Sequence, residues 1–109
     1  MEPQHDNFEG PVNSLACFDK KIWIAKGETI TVHETDTKIR PFPAGLKIAS
    51  LRVVGDKIIA IGEKTFKVYN SQLLCIYDHG KRSLSKIVTV MPAGDAYAVL
   101  HCHNYITVY

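Results

Sequence analysis

The strongest constraint on this chain is a strand-rich segment that recurs along the sequence. "KIWIAKGETITVHE" (21–34) and "KIIAIGEKTFKVYN" (57–70) share one apolar pattern without a gap, 36 residues apart. A third segment, "DAYAVLHCHNYITVY" (95–109), follows 40 residues later when Asp95 is aligned with Gly55. Periods of about 20 to 50 residues are typical of propellers, solenoids and repeat arrays. We therefore predict one unit copied three times, over 11–45, 46–83 and 84–109, with chance similarity of short β-rich segments as the alternative.

Each unit is predicted to be a small antiparallel sheet, because its segments are rich in Val, Ile, Tyr, Phe and Thr and are separated by turn residues. First strands are predicted in "VNSLACF", "IASLRVV" and "KIVTVM", the last followed by an inserted turn, "PAG". Second strands such as "KIWIA" are apolar on both faces, third strands such as "TITVH" alternate, and fourth strands are predicted in "TKIRPFP" and "LLCIYDH". Such a sheet fits between copies of itself. We therefore predict an all-β fold, a partial β-propeller of about three antiparallel blades.

Composition limits the class of protein. A length of 109 residues fits a single domain, and 46% apolar with 22% charged residues indicates a globular chain. The cysteines are odd in number and dispersed, and the start "MEPQHDNFEG" lacks the features of a secretory signal, so we expect an intracellular protein of the cytoplasm or nucleus. That start contains acids but neither Lys nor Arg, and we expect residues 1–10 to form a flexible acidic tail.

The units resemble WD40-type β-propeller repeats over residues 11–109. "VNSLAC" (12–17) fits the opening pattern of such a blade, while "HE" (33–34) and "YN" (69–70) stand where the family has its Trp-Asp pair. Tyr109 stands at the third Trp position. The sequence contains no Trp-Asp dipeptide, and Gly27, Glu63 and His103 fall where the family has its turn Asp. The family's hydrogen-bond network is therefore not carried over to this chain.

A narrower resemblance concerns "EKTFKVYNSQLLCIYDHG" (63–80), which is similar to a blade of the WD-repeat subunits of the small-subunit processome. That assembly matures ribosomal RNA. The resemblance implies a second functional expectation, an RNA-contacting component of a ribosome-biogenesis complex.

The leading expectation is a non-enzymatic scaffold that mediates protein–protein interaction in a larger complex. Rigid sheets hold loops in fixed positions, and such loops often carry binding. Three units would leave an apolar face open at each end, so we expect the rest of a longer propeller, another protein or a second copy to cover these faces. A small homo-oligomeric β-domain with a ligand pocket is a third alternative.

Two loops supply candidate contact residues. "DHGKRSLSK" (78–86) contains Lys81, Arg82 and Lys86, which fit a phosphate-contacting loop or, alternatively, a solvated connection. "KIRPFPAG" (38–45) contains Arg40 and an exposed-looking Phe42. This second segment is either a proline-bracketed binding loop or an outer strand ended by proline.

Other motifs lead to no predicted chemistry. "HCH" (101–103) would put two His on one strand face, which is fewer ligands than a metal needs, so strand packing followed by a turn is the expectation. "IGEKT" (61–65) lacks the spacing of a phosphate-binding loop. The sequence presents no nucleophile–base arrangement or paired carboxylates that stand out. We therefore expect no catalytic residues, no metal and no cofactor.

Overall fold

The computed structural model describes the backbone of residues 12–34, 38–80 and 85–109, and the side chains of these residues except 38–40. Over these residues the chain consists of strands and turns and contains no helix. The strands are β1 (Ser14–Phe18), β2 (Lys21–Lys26), β3 (Thr29–His33), β4 (Lys38–Pro43), β5 (Ser50–Val54), β6 (Lys57–Ile61), β7 (Phe66–Asn70), β8 (Cys75–Asp78), β9 (Ile87–Ala93), β10 (Ala96–His101) and β11 (Ile106–Val108). The predicted tail, residues 1–10, lies outside the described residues.

The strands form three antiparallel sheets in chain order. The first sheet is β1-β2-β3-β4, the second is β5-β6-β7-β8, and the third is β9-β10-β11. Every neighbouring pair is antiparallel and consecutive in the sequence, so each sheet is a simple meander. The all-β prediction is confirmed, and both predicted fourth strands are present as β4 and β8.

Two-residue turns join the first and second strands of each sheet at equivalent places. Asp19 and Lys20 both have positive φ, 51° and 61°, as a type I′ turn requires. The corresponding turns of the other sheets begin with Gly55 and Gly94, at φ 59° and 62°. Each of these turns is flanked by the last residue of a first strand and the first residue of a second strand.

These turns correct the alignment of the third unit. Val54 pairs with Lys57 across one turn, and Ala93 pairs with Ala96 across the other, so Gly94 rather than Asp95 corresponds to Gly55. The predicted alignment of β10 was therefore wrong by one residue, and a shift of one residue exchanges the two faces of a strand. The predicted "PAG" turn was also wrong, because Pro92 and Ala93 belong to β9.

The first two sheets pack face to face around Trp23. Its ring is fully buried, with centroids 5.9 Å from that of Phe18, 6.1 Å from that of Phe42 and 5.8 Å from that of Tyr69. The remaining buried members of this core are Ala25, Ile30, Val32, Ala44, Leu46, Ile48, Ile58 and Ala60. Aromatic rings from both sheets thus fill one interface.

The second and third sheets pack around Phe66 in the same manner. The buried apolar residues of this second core are Ile59, Ile61, Phe66, Val68, Ile87, Val90, Tyr97 and Val99. The second sheet is therefore covered on both faces, and Ile58 to Ile61 are all buried, as the apolar run in the sequence predicted. At the first strands the sheets are also joined by hydrogen bonds, from Leu51 N to Ser14 Oγ (3.0 Å) and from Arg52 Nη1 to Thr89 Oγ1 (3.1 Å).

The two terminal faces carry exposed apolar side chains. The outer face of the first sheet comprises Leu15, Cys17, Ile22, Ile24 and Thr31, of which Leu15 is 65% exposed and Ile22 is 43% exposed. The outer face of the third sheet comprises Met91, Ala98, Leu100, Ile106 and Val108. On this second face Ile106 is 66% exposed and Val108 is 63% exposed.

Candidate functional site

A groove of about 700 Å³ runs across one end of the first and second sheets. Its walls are the β2–β3 turn, the β6–β7 turn and the connections that lead from one sheet to the next. Its lining residues are Asn13, Glu28, residues 45–49, residues 62–65, Lys67, residues 78–80 and Lys86. We call this the connection groove. The groove lies at the opposite end of the sheets from the turns at Asp19 and Gly55.

Backbone hydrogen bonds fix the connections to the turns they cross. Ile48 N donates to Gly27 O at 2.9 Å, and at the equivalent place Ile87 N donates to Glu63 O at 2.7 Å. Both isoleucine side chains are buried and anchor the start of the next sheet. Because the same contact recurs in two units, the walls of the connection groove follow from the repeat itself.

Two glycines allow the close approaches within the groove. A Cβ on Gly62 would lie 3.0 Å from both Leu46 Cδ1 and Lys47 O, so this turn position has no room for a side chain. Gly45 has a φ of +78°, a conformation that glycine adopts readily. A Cβ on Gly45 would lie 2.8 Å from Lys67 Nζ. The absence of a side chain at Gly45 therefore leaves space for the Lys67 ammonium.

The groove carries both signs of charge. Its basic residues are Lys47, Lys64, Lys67 and Lys86, and its acidic residues are Glu28, Glu63 and Asp78. Lys67 Nζ lies 3.7 Å from Asp78 Oδ2, and both side chains remain partly exposed. The exposed ion pair adds little to stability. The described lining is thus a mixed-charge surface, rather than a uniformly basic one.

Below the groove lies an aromatic cluster that holds the outer strand of the second sheet against the third sheet. His79 is buried, and its ring stacks on Phe66 with centroids 4.9 Å apart. Tyr77 packs on Tyr97 with ring centroids 4.6 Å apart. Burial raises the pKa of Tyr97, and burial together with nearby Tyr109 and Tyr97 raises the pKa of Tyr77. These rings hold the groove floor rigid from beneath.

The predicted contact residues are only partly brought to this groove. Lys86 is exposed and lines it, and its carbonyl accepts a hydrogen bond from Cys102 N at 2.9 Å. Lys81 and Arg82 lie outside the described residues. Arg40 lies on β4, but its side chain is also outside the described part.

Phe42 corrects one prediction. The expectation of an exposed Phe42 was wrong, because the ring is half-buried and packs on Trp23 and Tyr69. The segment is an outer strand that ends at Pro43, as the alternative reading of "KIRPFPAG" proposed. Phe42 therefore stabilises the interface of the first two sheets.

The "HCH" segment is divided between a strand and a turn. His101 ends β10, whereas Cys102 and His103 are exposed in the following turn, so the two His do not share a strand face as predicted. His101 is buried, its Nε2 is 3.0 Å from Thr107 Oγ1, and its ring stacks on Tyr105 with centroids 4.3 Å apart. Across residues 12–34, 41–80 and 85–109, no three His, Cys, Asp or Glu side chains are grouped to hold a metal ion.

Sequence reasoning missed most of the connection groove. Glu28, Lys47, Glu63 and Lys64 belong to turns and connections that are distant in sequence and converge only when the sheets stack. The signal that points to them is positional, because Gly27-Glu28 and Glu63-Lys64 end equivalent second strands in the repeat. The charges at these turns could therefore have been placed at one end of the array.

Comparisons with known proteins bear on the fold. No family model matches the chain, and no curated protein matches it. Among solved structures, the crystal structure of the computationally designed Ika4 protein is similar, with a TM-score of 0.56 and 10% identity over 97% of this chain and 94% of that chain. At this identity the likeness concerns the fold alone, an all-β arrangement of antiparallel sheets.

The described residues include no helix that is both long and apolar enough to pass through a membrane.

Proposed function

We propose that this chain is a non-enzymatic, WD40-like β-propeller-type scaffold that binds a segment of another protein in the connection groove. The observation that carries the proposal is the groove itself, about 700 Å³ in volume, with walls tied to the sheets by backbone hydrogen bonds. A rigid scaffold that presents short loops is a common basis for binding. The groove needs little reorganisation to receive a partner, which lowers the entropic cost of association.

The charge of the groove favours a protein over a nucleic acid as the ligand. Its described lining has four Lys side chains but also Glu28, Glu63 and Asp78, whose carboxylates would repel phosphates. A protein segment with both basic and acidic side chains can complement such a surface, and electrostatic complementarity steers association and fixes register. The ligand class that we assign is therefore an extended polypeptide segment of mixed charge.

Site-specific photo-crosslinking in the cell tests this proposal. A photoreactive amino acid is placed at position 64 in the groove and, as the control, at position 56 in the turn at the opposite end, where Asp56 is 92% exposed at its side chain. The proposal expects one discrete protein adduct from position 64 and none from position 56. Equal adducts from both positions, or adducts removed by ribonuclease, would contradict protein binding in the groove.

Direct binding with the purified adduct partner completes the test. Lys64→Glu is expected to weaken binding, whereas Asp56→Lys, which changes charge at the opposite end, is expected to leave it unchanged. Affinity that falls steeply with salt, by several decades between low and moderate ionic strength, would be the signature of phosphate contacts and would support RNA instead.

A further inference from the structure

The corrected register shows that the outer face of the third sheet corresponds to two faces that are buried elsewhere. Met91, Ala98, Leu100, Ile106 and Val108 occupy the positions of Ala16, Trp23, Ala25, Ile30 and Val32 in the first sheet. They also occupy the positions of Arg52, Ile59, Ile61, Phe66 and Val68 in the second sheet. In each of those sheets this face packs against the sheet that follows.

The outer face of the first sheet is the opposite half of the same repeated contact. Leu15, Ile22 and Ile24 correspond to Leu51, Ile58 and Ala60, which receive the preceding sheet. In the third sheet the corresponding residues are Val90, Tyr97 and Val99, which receive the second sheet. The accessible part of this face lies along β1 and the start of β2, because Ile24 and Thr31 are already buried.

We propose that two copies of this chain associate head to tail, with the outer face of the third sheet of each copy packed on the outer face of the first sheet of the other. The inference rests on the propeller-type arrangement of the proposed function. The occupant is a second copy because the chain already contains both halves of this contact, and it forms the contact twice internally. Both halves present exposed aliphatic side chains.

Closure of the pair follows from symmetry. A heterologous contact produces a ring when its rotation closes and a filament when it does not. Two copies that use both contacts form a ring of six sheets, and six lies within the four to eight blades, roughly, that propellers contain. The ring would remove both apolar faces from water, which is the physical driving force for association.

Sedimentation equilibrium of the unmodified 109-residue chain tests the proposal first. We expect a concentration-dependent species of 24.4 kDa, twice the 12.2 kDa of the chain. A monomer at every concentration that can be measured, or polymers that grow with concentration, would overturn it. Since this measurement uses no substitution, a failure of a variant to fold does not affect it.

Paired variants then test the head-to-tail geometry. Leu15→Glu disrupts one face and Ile106→Glu the other, so each variant alone is expected to be monomeric. An equimolar mixture retains one intact contact and is expected to recover a mixed dimer. Leu74→Glu is the matched control, because Leu74 is 57% exposed outside both faces, and it should dimerise as the unmodified chain does. Failure of the mixture to recover a dimer would contradict the head-to-tail contact.

The two proposals fail separately. Crosslinking from position 64 reports the connection groove in a monomer as well as in a dimer. Loss of the dimer with retained groove adducts would therefore overturn only the self-association.

Discussion

The tripeptide "ITV" occurs twice in this chain in opposite surroundings. Ile30 and Val32 in β3 are fully buried, whereas Ile106 and Val108 in β11 are 66% and 63% exposed. Both copies are third strands, and both pairs of side chains project from the corresponding face of their sheet. The difference is the neighbouring sheet, which covers the first copy and is not present over the second. Burial here is a property of the stack of sheets, which a strand sequence alone does not determine.

Removing the largest side chain on the buried face should have the largest effect. Trp23→Ala deletes a fully buried ring that contacts Phe18, Phe42 and Tyr69. We expect a loss of about 3–5 kcal/mol in the free energy of unfolding, as for other buried aromatic residues replaced by Ala. Urea denaturation monitored by circular dichroism measures it. Ile22→Ala, on the same strand but exposed, should cost less than about 1 kcal/mol; similar losses for both would contradict the packing described.

The two copies of "ITV" allow the comparison to be measured with one substitution. Ile30→Ala should lower the free energy of unfolding by about 2–5 kcal/mol, because it leaves a cavity between two sheets. Ile106→Ala should change it by no more than about 0.5 kcal/mol in dilute protein, because the side chain is exposed. Chemical denaturation of both variants gives the two values. Equal losses would show that the third sheet is covered on both faces.

The connection groove can be tested with two glycines. Gly62→Ala should destabilise the chain by about 1–3 kcal/mol, because its Cβ would press on the backbone of Lys47. Gly80→Ala is the control, since a Cβ there would meet nothing within 4 Å. Its effect should be within about 0.5 kcal/mol. Thermal unfolding of the two variants distinguishes them, and a neutral Gly62→Ala would mean that the turn and the connection lie further apart.

The smallest effect is expected at high pH. Burial, with smaller contributions from Cys75 and Asp78, raises the pKa of Tyr69 to about 12 from its usual value of 10. Between pH 10 and pH 12 the unfolded chain loses this proton while the folded chain keeps it, so stability should fall as pH rises through that range. Urea denaturation at pH 8 and pH 11 measures the decline. Tyr69→Phe should make the decline shallower, whereas Tyr105→Phe, at an exposed ring, should leave it unchanged.

Much of the strand order could be predicted from the sequence. The 36-residue repeat and the doubly apolar run from Ile58 to Ile61 identified the meander and its covered middle strand. The third unit was misaligned because its first strand is longer and its β9–β10 pairing contains a bulge between Leu100 and His101. The recurring Gly-Asp pair, Gly55-Asp56 and Gly94-Asp95, was the signal for the correct register.

The candidate site was harder to predict. Phe42 was expected to be exposed because prolines flank it, yet its ring fills space between two sheets, which depends on Trp23 and Tyr69 from other strands. The charges of the connection groove come from four separate turns and connections. Their proximity results from the stacking of sheets, for which a single strand pattern contains no direct signal.

Cysteine accessibility at two adjacent positions of β10 tests the stacked register most directly. In a chain whose three cysteines are replaced by Ser, Ala98→Cys and Val99→Cys are compared by thiol labelling in dilute protein. The register that places Val99 fully buried against the second sheet and Ala98 on the outer face predicts fast labelling at 98 and protection at 99. Fast labelling at 99 with protection at 98 would mean that the third sheet faces the other way, and would contradict the account.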